Sequence, residues 1–582
     1  MRHRAFRRTS FALTTLATAA ALVGFTAAAS AGAATSTSVQ VPEPLCAAPT
    51  PGHMSCQALR LVTKLVSSTQ AAQLRAEGLA RPLHVKTLVD GPAGGYSPVE
   101  LAKAYGVNPD AATTQTVAIV DAYDDPTVLS DLNTFDDQYG LPHETGSSLQ
   151  VVNQDGLASP LPAANAGWAG EITLDVQTVR GMCHNCKILL VEANSDSNAD
   201  LDAGVNQAVA MGAKIVSNSY GGPESGPADP AYDHPGAAIL ASSGDDGWYG
   251  FDVFNELSIP FGAPLAPASL NSVIAVGGTS LYLNPDGTRS GEQVWNTNGP
   301  TDFWGLNFGA AMGASGSGCS TLYSAKLWQQ NVAGYGTLGC GSKRSSVDIA
   351  ADADPFTGLD IFQTYPNVSG AWETVGGTSL SSPLVAAMWA LAGGPGGVTY
   401  PALSLYGHFK SGANHPYDVT VGGTGLCDTA TLTACLLAAG GMNPNGLGFG
   451  DLDCGWSTTN VFDPTPLANR FQCYAQPGYD GVSGVGTPTS VNVFKAMNPT
   501  AVITPPGTVT HGVAHSFSGA NSRDPFPGGS ITSYSWDWGD GHTSTGATAS
   551  HTYTAAGSRT ITLTVTDNYG RTGHRNLTIT VK

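Results

Sequence analysis

Positive charge is scarce in this chain: 25 lysines and arginines stand against 44 aspartates and glutamates among 582 residues, a formal net charge of −19. No basic stripe gathers those few cations, so nothing is available to neutralise a phosphate backbone, and nucleic acid is excluded as a partner. Charge of either sign is thin, at 12% of residues, while glycine reaches 72. Long apolar runs are missing after about residue 33, so no bilayer-spanning helix is expected beyond that point. Hydrophobic content of 42% and a mean hydropathy of −0.02 still suffice for globular cores, and the length allows two or three domains. A low-charge surface weighted towards carboxylates suits a protein outside the cell, particularly in acid, where protonation relieves self-repulsion.

The start of the chain agrees with export. Arg2, Arg4, Arg7 and Arg8 precede an apolar stretch from Phe11 to Phe25, followed by small residues around Ala29-Ser30-Ala31 and Ala31-Gly32-Ala33. Residues 1–33 therefore read as a signal peptide, and the mature protein as secreted, extracellular and free of the membrane. Arg7-Arg8 before Phe11 leaves the export route open. Residues 34–95 read as a short propeptide, with a plain extension as the alternative. It contains an amphipathic helix expected near Leu59–Leu79 and ends in the joint Gly91-Pro92-Ala93-Gly94-Gly95. Cleavage is expected between Val89 and Gly95, making the chain a zymogen. The ten cysteines suit the same compartment. Their order suggests Cys46 with Cys56, Cys183 with Cys186, Cys319 with Cys340, and two bridges among Cys427, Cys435, Cys454 and Cys473. Cys183-His184-Asn185-Cys186 reads as a structural bridge rather than a redox or zinc motif, since no second ligand pair accompanies it.

From Thr116 onwards the pattern alternates between short apolar strands and amphipathic helices. Strands are expected at Thr116–Val120, Ile188–Val191, Ile215–Val216, Ala238–Leu240 and Val273–Val276. Helical spacing of Val128, Leu132, Phe135 and Tyr139, and of Leu201, Val205 and Val209, marks the helices between them. Such alternation implies a mostly parallel sheet with helices on both faces, whose ligands bind at the carboxyl ends of the strands.

Four polar stretches belong at those ends or beside them. In Val375 to Ala386, Gly376 and Gly377 permit a tight turn before Ser379 and an apolar helix, with Pro383 expected in its first turn. A serine at a helix N-terminus meets free N–H groups that favour developing negative charge, as a nucleophile in acyl transfer requires; a simple helix cap is the alternative. In Trp168–Val176, Glu171 and Asp175 stand at i and i+4, so a helix would stack the two carboxylates and make them share a proton. In Ala241–Gly247, Asp245 or Asp246 could, when protonated, donate to an oxyanion; an Asp-Gly turn is the alternative. Ser217–Gly222 offers an extended edge for binding substrate backbone by strand addition.

Together these stretches resemble the sedolisins, serine-carboxyl peptidases on a subtilisin-like fold. The matching pieces are I-V-D-A-Y-D-D-P-T (119–127), E-I-T-L-D (171–175), S-N-S-Y-G (217–221), S-S-G-D (242–245), A-D-A-D-P (351–355) and G-G-T-S-L-S-S-P (376–383), spread over residues 96–498. The resemblance implies Ser379 as nucleophile, Glu171 as general base, Asp175 as the group that orients it, and Asp245 as the oxyanion-hole acid, with Asp246 beside it leaving the choice open. It implies an endopeptidase acting on proteins or peptides, expected as a monomer. The residues support acid rather than neutral chemistry. No histidine has the H-G-T-H setting of a subtilisin, and a histidine base near about 6.5 would be protonated in acid, where a glutamate near about 4.3 is still partly ionised. Asp121 is a candidate subtilisin-type triad aspartate by position, but without a histidine it reads as structural. A subtilisin-type enzyme with another base, and a non-catalytic binding protein on a peptidase scaffold, are the alternative functions.

The same resemblance implies one calcium ion held by the side chains of Asp418 and Asp480 and the carbonyls of Val419, Gln476 and Gly478, a hard oxygen set. Glutamine at 476 departs from the family's usual glycine. The insertion Leu426–Cys473 is longer than the pattern needs, and about sixty residues of propeptide fall short of the family's large prodomain. Residues 499–582 turn to period-two alternation at Ile561, Leu563, Val565, Leu577, Ile579 and Val581, an all-β, immunoglobulin-like sandwich. Tyr534-Ser535-Trp536-Asp537-Trp538-Gly539-Asp540-Gly541 resembles the signature of polycystic kidney disease (PKD) domains. That resemblance implies a module for a protein or polysaccharide ligand, with a ligand-free spacer, and Trp536 and Trp538 in its core, as the alternative.

Overall fold

In the strand Thr116–Ala122, side chains alternate between two cores, as a period of two requires. Val117 and Ile119 pack on one side with Ile172 and Leu174 of the helix Ala166–Met182 and with Leu380, Leu384 and Val385 of the helix Thr378–Leu391. Ala118, Val120 and Ala122 pack on the other with Leu201 and Val205 of the helix Asn198–Ala210. This computed structural model describes residues 36–76, 91–248, 264–297, 313–367, 369–409, 414–424, 470–526 and 528–582. The leader, most of the 426–473 insertion with three of its cysteines, and residues 77–90 lie outside the described residues. None of the described helices is long and apolar enough to cross a membrane.

The central sheet runs Arg289–Val294, Ile274–Leu283, Ala238–Ser242, Ile215–Asn218, Thr116–Ala122, Lys187–Ala193 and Leu149–Asn153, with Ile349–Asp352 also paired to Ile274–Leu283. Pairing is parallel throughout except at Arg289–Val294. This is the expected α/β architecture, and each expected strand is present, with Val273–Val276 realised as the longer Ile274–Leu283. The C-terminal strands pair antiparallel: Ala514–Ser518 pairs with Thr548–Thr552, and a four-stranded sheet runs Thr543–Thr545, Ile531–Asp537, Gly557–Asp567, Thr572–Val581. Cys46–Cys56, Cys183–Cys186 and Cys319–Cys340 are bridged as expected.

Two expectations are corrected. Leu59–Leu79 is not an amphipathic helix: Leu59–Ser67 is a strand, and the helix covers only Ser68–Ala76 before the described residues stop. The strand forms because partners distant in sequence supply its ladder, Ser36–Pro44 along one edge and the end of Ala371–Gly376 along the other. Long-range pairing overrides local spacing there. Pro383 is not in the first turn of its helix, which begins at Thr378; it lies inside. The N–H it lacks would have bonded the carbonyl of Ser379, and the Ser219 hydroxyl approaches that carbonyl instead, at 3.4 Å.

Candidate active site

Gly377, at φ 98°, turns the chain from the strand Ala371–Gly376 into the helix Thr378–Leu391. A side chain there would meet Asp245 Oδ2 at 2.6 Å, so only glycine admits the approach. Ser379 follows in the first turn, fully buried, its hydroxyl donating to the carbonyl of Ser219 at 3.1 Å. No histidine hydrogen-bonds Ser379 among the described residues.

The helix Ala166–Met182, capped by the Asn165 side chain on the N–H groups of Gly167 and Trp168, carries both Glu171 and Asp175. Both are completely buried. Asp175 accepts the Ser219 hydroxyl on both oxygens, at 2.9 and 2.7 Å. Neither oxygen of Glu171 has a hydrogen bond of ordinary geometry. Burial pushes the Glu171 carboxyl well above the usual range, and the charges of Asp175 and Asp121 add to the rise, against a smaller lowering by the nearby Ser379 hydroxyl. Asp175 is raised too, by burial and then by Asp121. The pair holds a proton between its members at pH values where exposed carboxylates have lost theirs.

Asp121, which reads as structural in the sequence, lies close to the acid pair. It lies at the end of Thr116–Ala122 on the side of Val117 and Ile119, facing the acid-bearing helix, with both oxygens buried and unpartnered. Burial raises its carboxyl as well. The signal was available in the sequence: period two from Val117 and Ile119 puts residue 121 on that face.

Between Asp245 and Asp246 the geometry distinguishes. Asp245 is buried against the start of the Ser379 helix, accepting the backbone N–H of Thr378 at 2.7 Å and its hydroxyl at 2.8 Å, both on Oδ1. Its Oδ2 is buried with no partner, and burial holds the carboxyl well above the usual range, so it is protonated in acid and can donate. Asp246 opens the short strand Asp246–Trp248 paired to Ala314–Ser317. Within Ser217–Gly222, expected as an edge for strand addition, Tyr220 and Gly221 are taken by Cys56 and Ser55 of the same chain.

The residues expected to hold calcium converge on one loop. Gly478 N–H donates to both oxygens of Asp418, at 3.0 and 2.9 Å, and Gln476 N–H to Asp480 Oδ2 at 3.0 Å. Val419 is buried beside them. Asp480 is fully buried, pushed up to about 7 by that burial, and meets no lysine, arginine or histidine among the described residues. Two carboxylates beside backbone carbonyls are the hard oxygen donors a divalent ion takes. A second group of donors, not anticipated, lies in the C-terminal region, where Asp540 reaches His551 Nε2 at 2.8 Å and His542 Nδ1 at 3.2 Å, a set that could hold a metal ion. Trp536 and Trp538 are fully buried and stacked 5.3 Å apart, so they build the core and present no surface to a ligand.

A subtilisin-like α/β domain with an all-β appendage is the class these features define. Residues 163–393 match the Subtilase family and residues 496–581 the PKD domain. Sedolisin of Pseudomonas sp. (strain 101) is 30% identical over 362 residues, 58% of each chain. Kumamolisin of Bacillus sp. (strain MN-32) is 25% identical over 434 residues, 70% of this chain and 64% of that one. The solved structure of Pseudomonas sedolisin, a serine-carboxyl proteinase complexed with two molecules of pseudo-iodotyrostatin, matches with a TM-score of 0.50 at 27% identity, over 69% of this chain and 96% of that one. The chain is thus similar to sedolisins across its subtilisin-like domain and to PKD domains after it. It spans less than two thirds of these curated relatives, 58% and 64% of their lengths.

Proposed function

We propose that the chain is a secreted serine-carboxyl endopeptidase most active in acid. The observation that carries this reading is the buried pair Glu171 and Asp175 on one helix beside Ser379, with Asp245 next to the Ser379 N–H. In the reaction, Ser379 Oγ attacks the scissile carbonyl and Glu171 takes its proton, later delivering it to the leaving amine. Asp175, fixed by the Ser219 hydroxyl, orients Glu171. The Ser379 N–H and a protonated Asp245 donate to the oxyanion. The protonated Asp245 needed at the oxyanion favours activity below neutrality, while the raised Glu171 carboxyl sets the lower limit at which the base is ionised. The substrates are proteins or peptides, the ones the family resemblance and the extended Tyr220–Pro223 edge suit. One calcium ion held by Asp418 and Asp480 would supply the positive charge that the burial of Asp480 calls for.

The test is cleavage of a denatured protein between pH 2 and 9 by wild type, Ser379→Ala and Glu171→Gln. An acid optimum abolished in both variants is expected. A neutral or alkaline optimum that survives Glu171→Gln would replace the carboxylate base by another one.

A further inference from the structure

The cleft is filled by the chain's own N-terminal segment, in the manner of a substrate. Ser55 and Cys56 pair antiparallel with Gly221 and Tyr220. Gln57 N–H donates to the Ser219 carbonyl at 3.2 Å, and the Gln57 carbonyl accepts the Ser379 N–H at 2.9 Å. That carbonyl therefore occupies the position in which an oxyanion would form. The unpartnered Oδ2 of Asp245 flanks the same spot: a Cβ on Gly377 would lie 2.3 Å from Gln57 O and 2.6 Å from Asp245 Oδ2. The Gln57 side chain is buried at 4% exposure, its Oε1 accepting the Asp245 N–H at 3.0 Å and its Nε2 donating to the Ser55 carbonyl at 2.9 Å. Gly221 and Gly244 flank its amide at a distance that leaves room for it. Beyond Gln57 the chain runs on along the strand that leads to Ser379, Leu59 opposite Gly376 and Arg60 opposite Val375.

We propose that Gln57–Ala58 is a self-cleavage site, that Gln57 fills the primary specificity pocket, and that the segment remains as a plug after the cut. The proposal rests on Ser379 being the nucleophile. Ser379 Oγ bonds to the Gln57 carbonyl carbon as the bond to Ala58 N breaks, and the serine proton passes through Glu171 to the departing amine. Water then splits the ester, its hydroxyl completing the Gln57 carboxyl and its proton returning to Ser379. The new ends do not part. Ser36–Pro44 on the upstream fragment pairs with Leu59–Ser67 on the downstream one over nine residue pairs, Pro44 facing Leu59. The Cys46–Cys56 bridge fastens the residue before Gln57 to the end of that hairpin, and Leu45 N–H donates to the Ala58 carbonyl at 2.9 Å. The amine is thereby kept beside the ester, which favours religation and slows release.

The experiment incubates the full chain and its Ser379→Ala variant at pH 4, separates fragments under denaturing conditions, and sequences the new N-terminus, with casein hydrolysis followed alongside. The expected result is an Ala58-Leu59-Arg60 terminus in wild type only, in material that keeps its size under native conditions. The intact Ser379→Ala chain, offered to active wild type, provides a second substrate. Wild type that degrades casein while Gln57–Ala58 stays whole overturns this proposal and leaves the peptidase reading standing. Cleavage at this bond in Ser379→Ala alone in solution also overturns it. A chain inert towards casein and towards itself overturns both.

Discussion

Thr378 holds Asp245 by a single oxygen, Oδ1, through its backbone N–H and its hydroxyl together, at 2.7 and 2.8 Å. The other oxygen is thereby left pointing into the buried space beside Ser379, where only a proton makes it a donor. Asp245→Asn should keep the arrangement, because an amide oxygen can accept both Thr378 groups and the NH2 then takes the place of the acid. The variant is expected to retain activity within about tenfold and to lose the decline towards neutral pH that deprotonation of Asp245 causes. Asp245→Ala, with no donor, should lose about 10²–10³ in kcat. Profiles of kcat against pH for both variants check this; an unchanged upper limb in Asp245→Asn would take Asp245 out of the oxyanion site.

Asp121 acts on the same chemistry from behind. Its charge is among the causes that raise Glu171 and Asp175, so the three acids compete for few protons within one buried cluster. Replacing Asp121 by Asn removes one competitor, and Glu171 should then ionise at lower pH. The acid limb of the kcat/KM profile is expected to move down in Asp121→Asn with little change in KM. A profile that stays in place would return Asp121 to a purely structural part.

Buried acids also set the pH at which the fold is firmest. Burial pushes Asp125 up to about 6 and Glu192 up to about 9, and Asp121, Glu171, Asp175, Asp245 and Asp352 are raised as well. Between the ordinary carboxylate range and these raised values the native state holds more protons than the unfolded chain. Stability must therefore fall as pH rises, from about 4 through about 6 and on towards about 9, by up to about 1.4 kcal/mol per unit for each group in its window. Thermal unfolding of Ser379→Ala, which cannot digest itself, should show Tm highest near pH 4. A Tm that climbs steadily to pH 8 would contradict the cluster.

Calcium should counter part of that loss at the Asp418–Asp480 loop. An ion that binds only the native state stabilises by about 2.7 kcal/mol at a hundred times Kd. Adding calcium to chelated protein near neutral pH is expected to raise Tm, and Asp480→Asn to abolish the rise. A Tm indifferent to calcium in the wild type would remove the ion from this loop.

How far the sequence was legible follows from how local each feature is. Glu171 and Asp175 could be placed together because i and i+4 meet on any helix, and Ser379 because a glycine pair before an apolar run announces a helix start. Asp121 needed one further step, the face of its strand, which only matters once the partner helix is known to cover that face. Leu59–Ser67 could not be read at all from spacing: its apolar residues suit a helix, and its partners Ser36–Pro44 and Ala371–Gly376 are supplied by the fold. Gln57 carried no signal, since its meaning lies in what its carbonyl touches.

The bridge Cys46–Cys56 closes a loop of sequence separation 10 immediately before the Gln57 carbonyl. Constraining so short a loop is worth about 2–3 kcal/mol by loop-entropy reasoning, and that energy holds the segment in its extended, substrate-like shape. Replacing both cysteines by serine leaves Ser379, Glu171, Asp175 and Asp245 untouched but lets the segment relax once Gln57–Ala58 is cut. Progress curves on a synthetic peptide at pH 4 should then show a shorter lag, several-fold or more, with the same final rate, because the released enzyme no longer contains either residue in its cleft. A lag unchanged by the double substitution would mean that pairing with Leu59–Ser67 and Tyr220–Pro223 alone retains the plug.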